Sequence, residues 1–220
     1  MIIGGFQKFS LLDYPGKISS IIFTQGCNFA CSYCHNKELI RTKQYNNIVT
    51  PEEILSFLKE RRKKIDAVVI TGGEPTLQPD LISFIKQIKT LGFLVKLDTN
   101  GSNPDVLKEI IKTNCVDYIA MDIKAPFEKY FFVIKKEIDT EKIKKSMDLI
   151  KNSGIKHEFR TTVLKSLLSE EDIIQIKHLA GESKLSPQKY IPSKNLEWEL
   201  GRQTNYSDEE FTKLFSLINN

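Results

Sequence analysis

No apolar run in this chain reaches the roughly 18–20 residues that a membrane-crossing helix needs. The opening stretch, Met1 to Lys17, lacks the basic-then-apolar order and small-residue cleavage site of a secretory signal. Both absences point to a cytoplasmic protein that spans no membrane. Linkers, low-complexity tracts and short repeats are missing too, so the 220 residues read as one domain over 1–220. Arginine is scarce: five of the 32 basic residues. The lysines interleave with acids along helical stretches and the net charge is only +4, which describes a solvated surface and does not indicate nucleic-acid binding. The densest basic run, Lys59 to Lys64, sits at an expected helix end, where cations also complement the helix dipole. Cysteines number four, and three of them fall within eight residues. That clustering argues for metal or redox chemistry and against a disulfide frame.

Strand-like and helix-like segments alternate along the rest. Ser19–Thr24, Asp66–Thr71, Phe93–Asp98, Asp117–Asp122, Lys156–Val163 and the weaker Leu185–Ile191 are apolar or β-branched runs. Between and after them lie helical patterns. One starts at the Thr50 cap with Pro51 and acids in its first turn and runs to about Lys63. The others are Pro79–Leu91 closed by Gly92, Pro104–Lys112, Thr140–Asn152, Ser169–Ala180 and Ser207–Asn219. The core thus spans about 17–191, with a last helix at about 207–219. Six β/α units imply a parallel sheet covered by helices, as an open doubly wound sheet or a partial barrel. In either arrangement ligands belong at the C-terminal ends of the strands.

Those ends carry the chemistry. After the first strand come Cys27, Cys31 and Cys34 in the spacing C-x3-C-x2-C. A [4Fe–4S] cluster normally takes four cysteines, so three leave one iron open for a ligand, the mark of a reactive centre. After the second comes Gly72-Gly73-Glu74-Pro75, whose glycines let a ligand approach the backbone and whose carboxylate suits an ammonium group. After the third, Asn100-Gly101 is a common turn, leaving Asp98 as the candidate ligand. Asp122 and Lys124 follow the fourth strand. Arg160 lies within the apolar fifth and needs a carboxylate partner, whether in a site or in a buried structural pair.

The Cx3CxΦC pattern with aromatic Tyr33, followed by GGEP after the next strand, resembles the radical S-adenosylmethionine (SAM) superfamily from about Gly4 to Ile191. That resemblance implies an α/β fold, a partial (β/α)6 TIM-like barrel. Within it, Phe6 to Gly16 and Cys31-Ser32-Tyr33-Cys34-His35-Asn36 are similar to the anaerobic ribonucleotide reductase activating proteins, relatives of the pyruvate formate-lyase activating enzymes. The resemblance implies a cluster on Cys27, Cys31 and Cys34 whose open iron chelates the methionyl group of SAM. It puts Gly72, Gly73 and Glu74 at the SAM amino group, Tyr33 near the adenine, and Lys124 and Arg160 at the carboxylate or ribose. Asp98 and Asp122 match acids that frame a monovalent cation beside SAM in pyruvate formate-lyase activases. The implied reaction is reductive cleavage of SAM and transfer of the radical to a glycine of a partner enzyme. The implied partners are a glycyl radical enzyme, anaerobic ribonucleotide reductase first among them, and a flavodoxin- or ferredoxin-type electron donor.

Two alternatives stand beside this reading. One is a small-molecule radical SAM enzyme such as a 7-carboxy-7-deazaguanine synthase. The other is a non-catalytic zinc module. His35 adjoins Cys34 too closely to share a tetrahedral ion with it, so that module would need His157 or His178 as fourth ligand. Cys115, alone between a helix and a strand, reads as core. The stretch Pro187–Gly201, with Trp198, is where partner contacts are expected.

Overall fold

Seven strands lie in one sheet in the order in which the chain makes them. The fold is seen in a computed structural model that describes residues 1–40, 49–191 and 205–219. The strands are β1 (Ile3–Ser10), β2 (Ser19–Thr24), β3 (Ala67–Gly72), β4 (Leu94–Thr99), β5 (Tyr118–Asp122), β6 (Lys156–Val163) and β7 (Leu185–Lys189). β2 to β7 are parallel to their neighbours, while β1 pairs antiparallel with β2. The helices are α1 (Lys37–Ile40), α2 (Pro51–Glu60), α3 (Leu81–Thr90), α4 (Pro104–Lys112), α5 (Tyr130–Ile134), α6 (Thr140–Lys151), α7 (Glu170–Ala180) and α8 (Asp208–Asn219). Strand order equal to chain order, with helical crossovers, gives a curling barrel wall. β1 and β7 are the two ends of that order, so the barrel stays open.

The six expected β/α units are present, and β1 is added to them. Its sequence, IGGFQKFS, has a glycine pair and no two-residue alternation, so it carries little strand signal. The expected helix ends shift slightly. α2 stops at Glu60 because Arg61 leaves helical geometry and Lys63 takes a left-handed φ of 71°. The caps form as the residues direct. Thr50 with Glu53, and Ser169 with Asp172, each complete a reciprocal capping box, and Gly92 closes α3 at φ 89°.

Both faces of the sheet are covered, which is why the strands read as near-continuous apolar runs. Outward-facing Ile22, Val68, Ile70, Val95, Leu97, Ile119, Met121 and Phe159 join the main helical core. Inward, Ile21, Ala67, Val69, Ala120, Tyr14 and Tyr118 form a smaller cluster. The concave side changes character along the strands. Its apolar cluster gives way to Asp98, Asp122, Arg160, Thr162 and Gln188, which line a cavity opening at the strand ends.

Candidate active site at the strand ends

The cysteine loop is pinned on several sides. Gln25 N donates to Ile2 O of the N-terminal segment at 2.9 Å, Gly26 N to Leu39 O of α1 at 2.7 Å, and Ala30 N to Ile134 O of α5 at 2.9 Å. Phe29 is buried in the main core beside it. Cys27, Cys31 and Cys34 are free thiols, and all three line one cavity of about 430 Å³. Burial pushes the Cys27 thiol up to about 12 and raises Cys31 and Cys34 as well. The bare thiols are therefore protonated at neutral pH, and a metal centre must displace their protons to bind.

A single zinc ion would need a fourth ligand beside the three thiols. No histidine is poised as a fourth ligand. His35 Nε2 bonds Ile191 O at 2.9 Å and the ring stacks on Tyr190. His157 sits at the other end of β6, with its ring nitrogens on Ile155 O and Ser183 Oγ. His178 is exposed on α7. Three thiolates lining one cavity match the ligand set of one face of an iron–sulfur cubane.

The glycine pair has a structural reason as well. Gly72 adopts φ 113°, and a Cβ there would sit 2.4 Å from Thr24 N. A Cβ on Gly73 would lie 2.1 Å from Gly26 O. The end of β3 thus packs backbone to backbone against the start of the cysteine loop. Glu74 is fully buried and accepts four hydrogen bonds: Thr76 N (3.1 Å), Thr76 Oγ1 (2.6 Å), Thr99 Oγ1 (2.7 Å) and Asn100 N (2.7 Å). Burial raises its carboxyl, and those bonds work against the rise.

Four of the five charged candidates form one chain with Lys96. Lys96 Nζ meets Asp98 Oδ1 at 3.1 Å, and Asp98 Oδ2 meets Arg160 Nη1 at 3.0 Å. Arg160 Nε meets Asp122 Oδ1 at 2.8 Å, and Asp122 Oδ2 meets Lys124 Nζ at 3.0 Å. Register explains the pairing, since Asp122 and Arg160 are direct neighbours across β5 and β6. Burial alone would raise Asp122, but Arg160 and Lys124 outweigh it and hold the carboxyl well below its usual range. Arg160 and Lys124 are desolvated too, yet their carboxylate partners keep both firmly charged. Lys124 Nζ also lies 5.8 Å from the centre of the Tyr33 ring. The Tyr33 hydroxyl is buried with no hydrogen-bond partner, and Asp98 Oδ1 has its ion pair but no well-aligned hydrogen bond. Orphaned polar atoms of this kind mark a cavity that a polar ligand completes.

All eleven candidate residues from the sequence line this cavity. The sequence reading passed over Thr99 and Asn100, which it took for a turn, and Asn28, Thr162 and Gln188. Thr162 and Gln188 are register partners on β6 and β7, and both line the cavity. Their signal was position: each ends the inward-facing series of its strand. Cys115 lies away from the cavity, half-buried, with Sγ 3.3 Å from Thr113 O. The expected partner stretch is described only as far as Ile191. Trp198 lies outside the described residues.

Residues 21–180 match the family model described as the radical SAM superfamily. The chain belongs to the radical SAM superfamily. Membership implies a [4Fe–4S] cluster and SAM, and the thiols and charged groups that line the cavity fit them by chemistry. A Methanocaldococcus jannaschii protein named as a glycyl-radical enzyme activating enzyme is 42% identical over 183 residues, 80% of this chain and 73% of the relative. The pyruvate formate-lyase-activating enzyme of Clostridium pasteurianum is 30% identical over 182 residues, 79% of this chain and 73% of the relative. Among solved radical SAM folds, Streptococcus suis SuiB bound to S-adenosylmethionine superposes with a TM-score of 0.72 at 16% identity. That match covers 90% of this chain and 46% of SuiB. The chain is thus a radical SAM enzyme whose fold is an open, mostly parallel seven-strand sheet.

Proposed function

We propose that this chain is a cytoplasmic activase, one domain over 1–220, that installs a glycyl radical on a partner enzyme, with anaerobic ribonucleotide reductase as that partner. A flavodoxin- or ferredoxin-type protein is the proposed electron donor. The observation that carries the reading is the convergence of three thiols and an alternating ion chain on one open cavity. Cys27, Cys31 and Cys34 would hold the cluster. Gly72, Gly73 and Glu74 would border the SAM amino group, and Tyr33 the adenine. Arg160 and Lys124 would face its carboxylate or ribose, with Asp98 and Asp122 beside them framing a monovalent cation. When bound, the cluster and SAM together supply one-electron reduction and a radical able to take a hydrogen atom from a glycine.

The chain's own work is to fix and shield. The ion chain holds its charged groups in place before a ligand arrives, so little reorganisation is needed on binding. The buried Phe29, Cys31 and Tyr33 of the loop and the apolar lower half of the wall would limit water at the reacting end. Among the described residues β1 and β7 are not paired with each other, and a peptide loop would enter on that side.

The test is anaerobic. The reconstituted, reduced protein is mixed with SAM and an anaerobic ribonucleotide reductase, and EPR should show a glycyl radical on the reductase. A brown, SAM-cleaving protein that leaves every glycyl radical enzyme of its source unmodified but turns over a tetrahydropterin would give the site to the small-molecule reading. A colourless protein carrying one zinc would remove the cluster altogether.

A further inference from the structure

Asn100 is held so that its side chain has one orientation. Its backbone N–H is anchored on the buried carboxylate of Glu74 at 2.7 Å, and its Oδ1 accepts from Ser102 N at 2.9 Å. A backbone N–H can only donate, so the atom facing it is the oxygen, and Nδ2 is the atom turned the other way. Nδ2 lies 3.0 Å from Asn28 Oδ1 and 3.9 Å from Cys27 Sγ. Asn28 is fixed in turn, with its Nδ2 on Ser102 Oγ at 2.8 Å. The two protons of the Asn100 amide therefore have two assignments, one to Asn28 and one to the sulfur. Cys27 Sγ also accepts from Phe29 N at 3.4 Å.

We propose that Asn100 donates a hydrogen bond to the Cys27 thiolate and thereby raises the reduction potential of the cluster held there. The inference rests on reading the three cysteines as a cluster site. Adding one electron to an iron–sulfur cluster increases the negative charge on its sulfurs. A fixed N–H dipole aimed at one of them stabilises the reduced form more than the oxidised form. Glu74 takes part at one remove, as a positioning residue. Its carboxylate ties the end of β3 to the loop that carries Asn100, so the Gly-Gly-Glu segment and the cysteine loop act on the same metal centre from two strands.

The experiment is a redox titration of the reconstituted holoprotein without SAM, followed by EPR of the reduced cluster, for wild type, Asn100→Ala and Asn100→Asp. Asn100→Ala should make the cluster about tenfold harder to reduce at a fixed potential, which is roughly 59 mV for a one-electron couple. Asn100→Asp, which also adds a negative charge, should shift it further in the same direction. An unchanged potential in an Asn100→Ala protein with full iron content overturns the proposal and leaves the cluster reading intact. A wild-type protein that takes up no iron fails the cluster reading instead. If the variants cannot be loaded, wild type labelled with nitrogen-15 in its asparagine side-chain amides decides. Pulsed EPR of the reduced cluster should then show coupling to an asparagine amide nitrogen, and absence of that coupling overturns the proposal.

Discussion

The carboxylate of Glu74, at the end of β3, accepts the backbone N–H of Asn100, just past β4, at 2.7 Å. With Thr76 and Thr99 the same carboxylate takes three further bonds, all from donors. A glutamine offers one acceptor oxygen and turns an NH2 group toward donors. Glu74→Gln should therefore strand at least one buried donor, at about 1–3 kcal/mol each. For a chain of this size that lowers Tm by several degrees, at roughly 2–4 °C per kcal/mol. Calorimetry of the metal-free protein measures it. An unchanged Tm would mean that the carboxylate is not what holds these strand ends together.

Gly73→Ala tests the backbone contact behind the cysteine loop. Its Cβ would stand 2.1 Å from Gly26 O, with no flexible side chain to yield. The variant should lose about 1–3 kcal/mol, the usual cost of overpacking, and should bind less iron per chain after anaerobic reconstitution. Wild-type iron content together with wild-type stability would show that the loop can move aside freely.

Cysteine replacement should divide the four thiols. Cys31→Ala should leave a colourless protein after reconstitution, since two thiols cannot hold the cluster. Cys115→Ala should reconstitute to wild-type iron content, because Cys115 lies on the loop before β5, at the opposite end of the sheet from the cavity. Iron loss in the second variant would assign Cys115 a role in the cluster.

Acid should act through Asp122. Its folded carboxyl is held below its ordinary value of 3.8: burial works to raise it, and Arg160 with Lys124 overcome that. A depressed folded value gives stability that is present above the unfolded value and lost as pH falls through the folded one. The metal-free wild type should lose stability below about pH 4, and Asp122→Asn should lose less over the same interval. At neutral pH the variant should be destabilised by about 3 kcal/mol, the low end for breaking a buried pair, because Arg160 keeps Asp98. Parallel denaturation curves for the two proteins from pH 5 to pH 2 would show that Asp122 is not the sensitive group.

The six β/α units were legible because β-branched runs and capped amphipathic helices carry their period in the residues themselves. β1 was not, since Gly4, Gly5, Gln7 and Lys8 give no alternation and its strand character comes from pairing with β2. The site was legible wherever a residue type is rare or tied to a motif: three clustered cysteines, a lone strand arginine, acids at strand ends. Asn100 was lost because Asn-Gly is a frequent turn. The chain bends there, with Gly101 at φ 74°, and the bend goes with a side chain turned toward Cys27. Glu74 lines the cavity, and its oxygens also accept bonds from Thr76, Thr99 and Asn100, which its motif does not announce. Such a commitment depends on residues 25 positions away in sequence, which no local pattern records.

The alternation that runs from Lys96 through Asp98, Arg160 and Asp122 to Lys124 begins and ends on a cation. Three positive groups enclose two negative ones, so the row has an odd member and cannot neutralise itself. Where the row borders the cavity it offers both signs, with Asp98, Asp122, Arg160 and Lys124 all in the lining. A ligand that carries both charges meets partners of both signs on that wall, before any shape is compared.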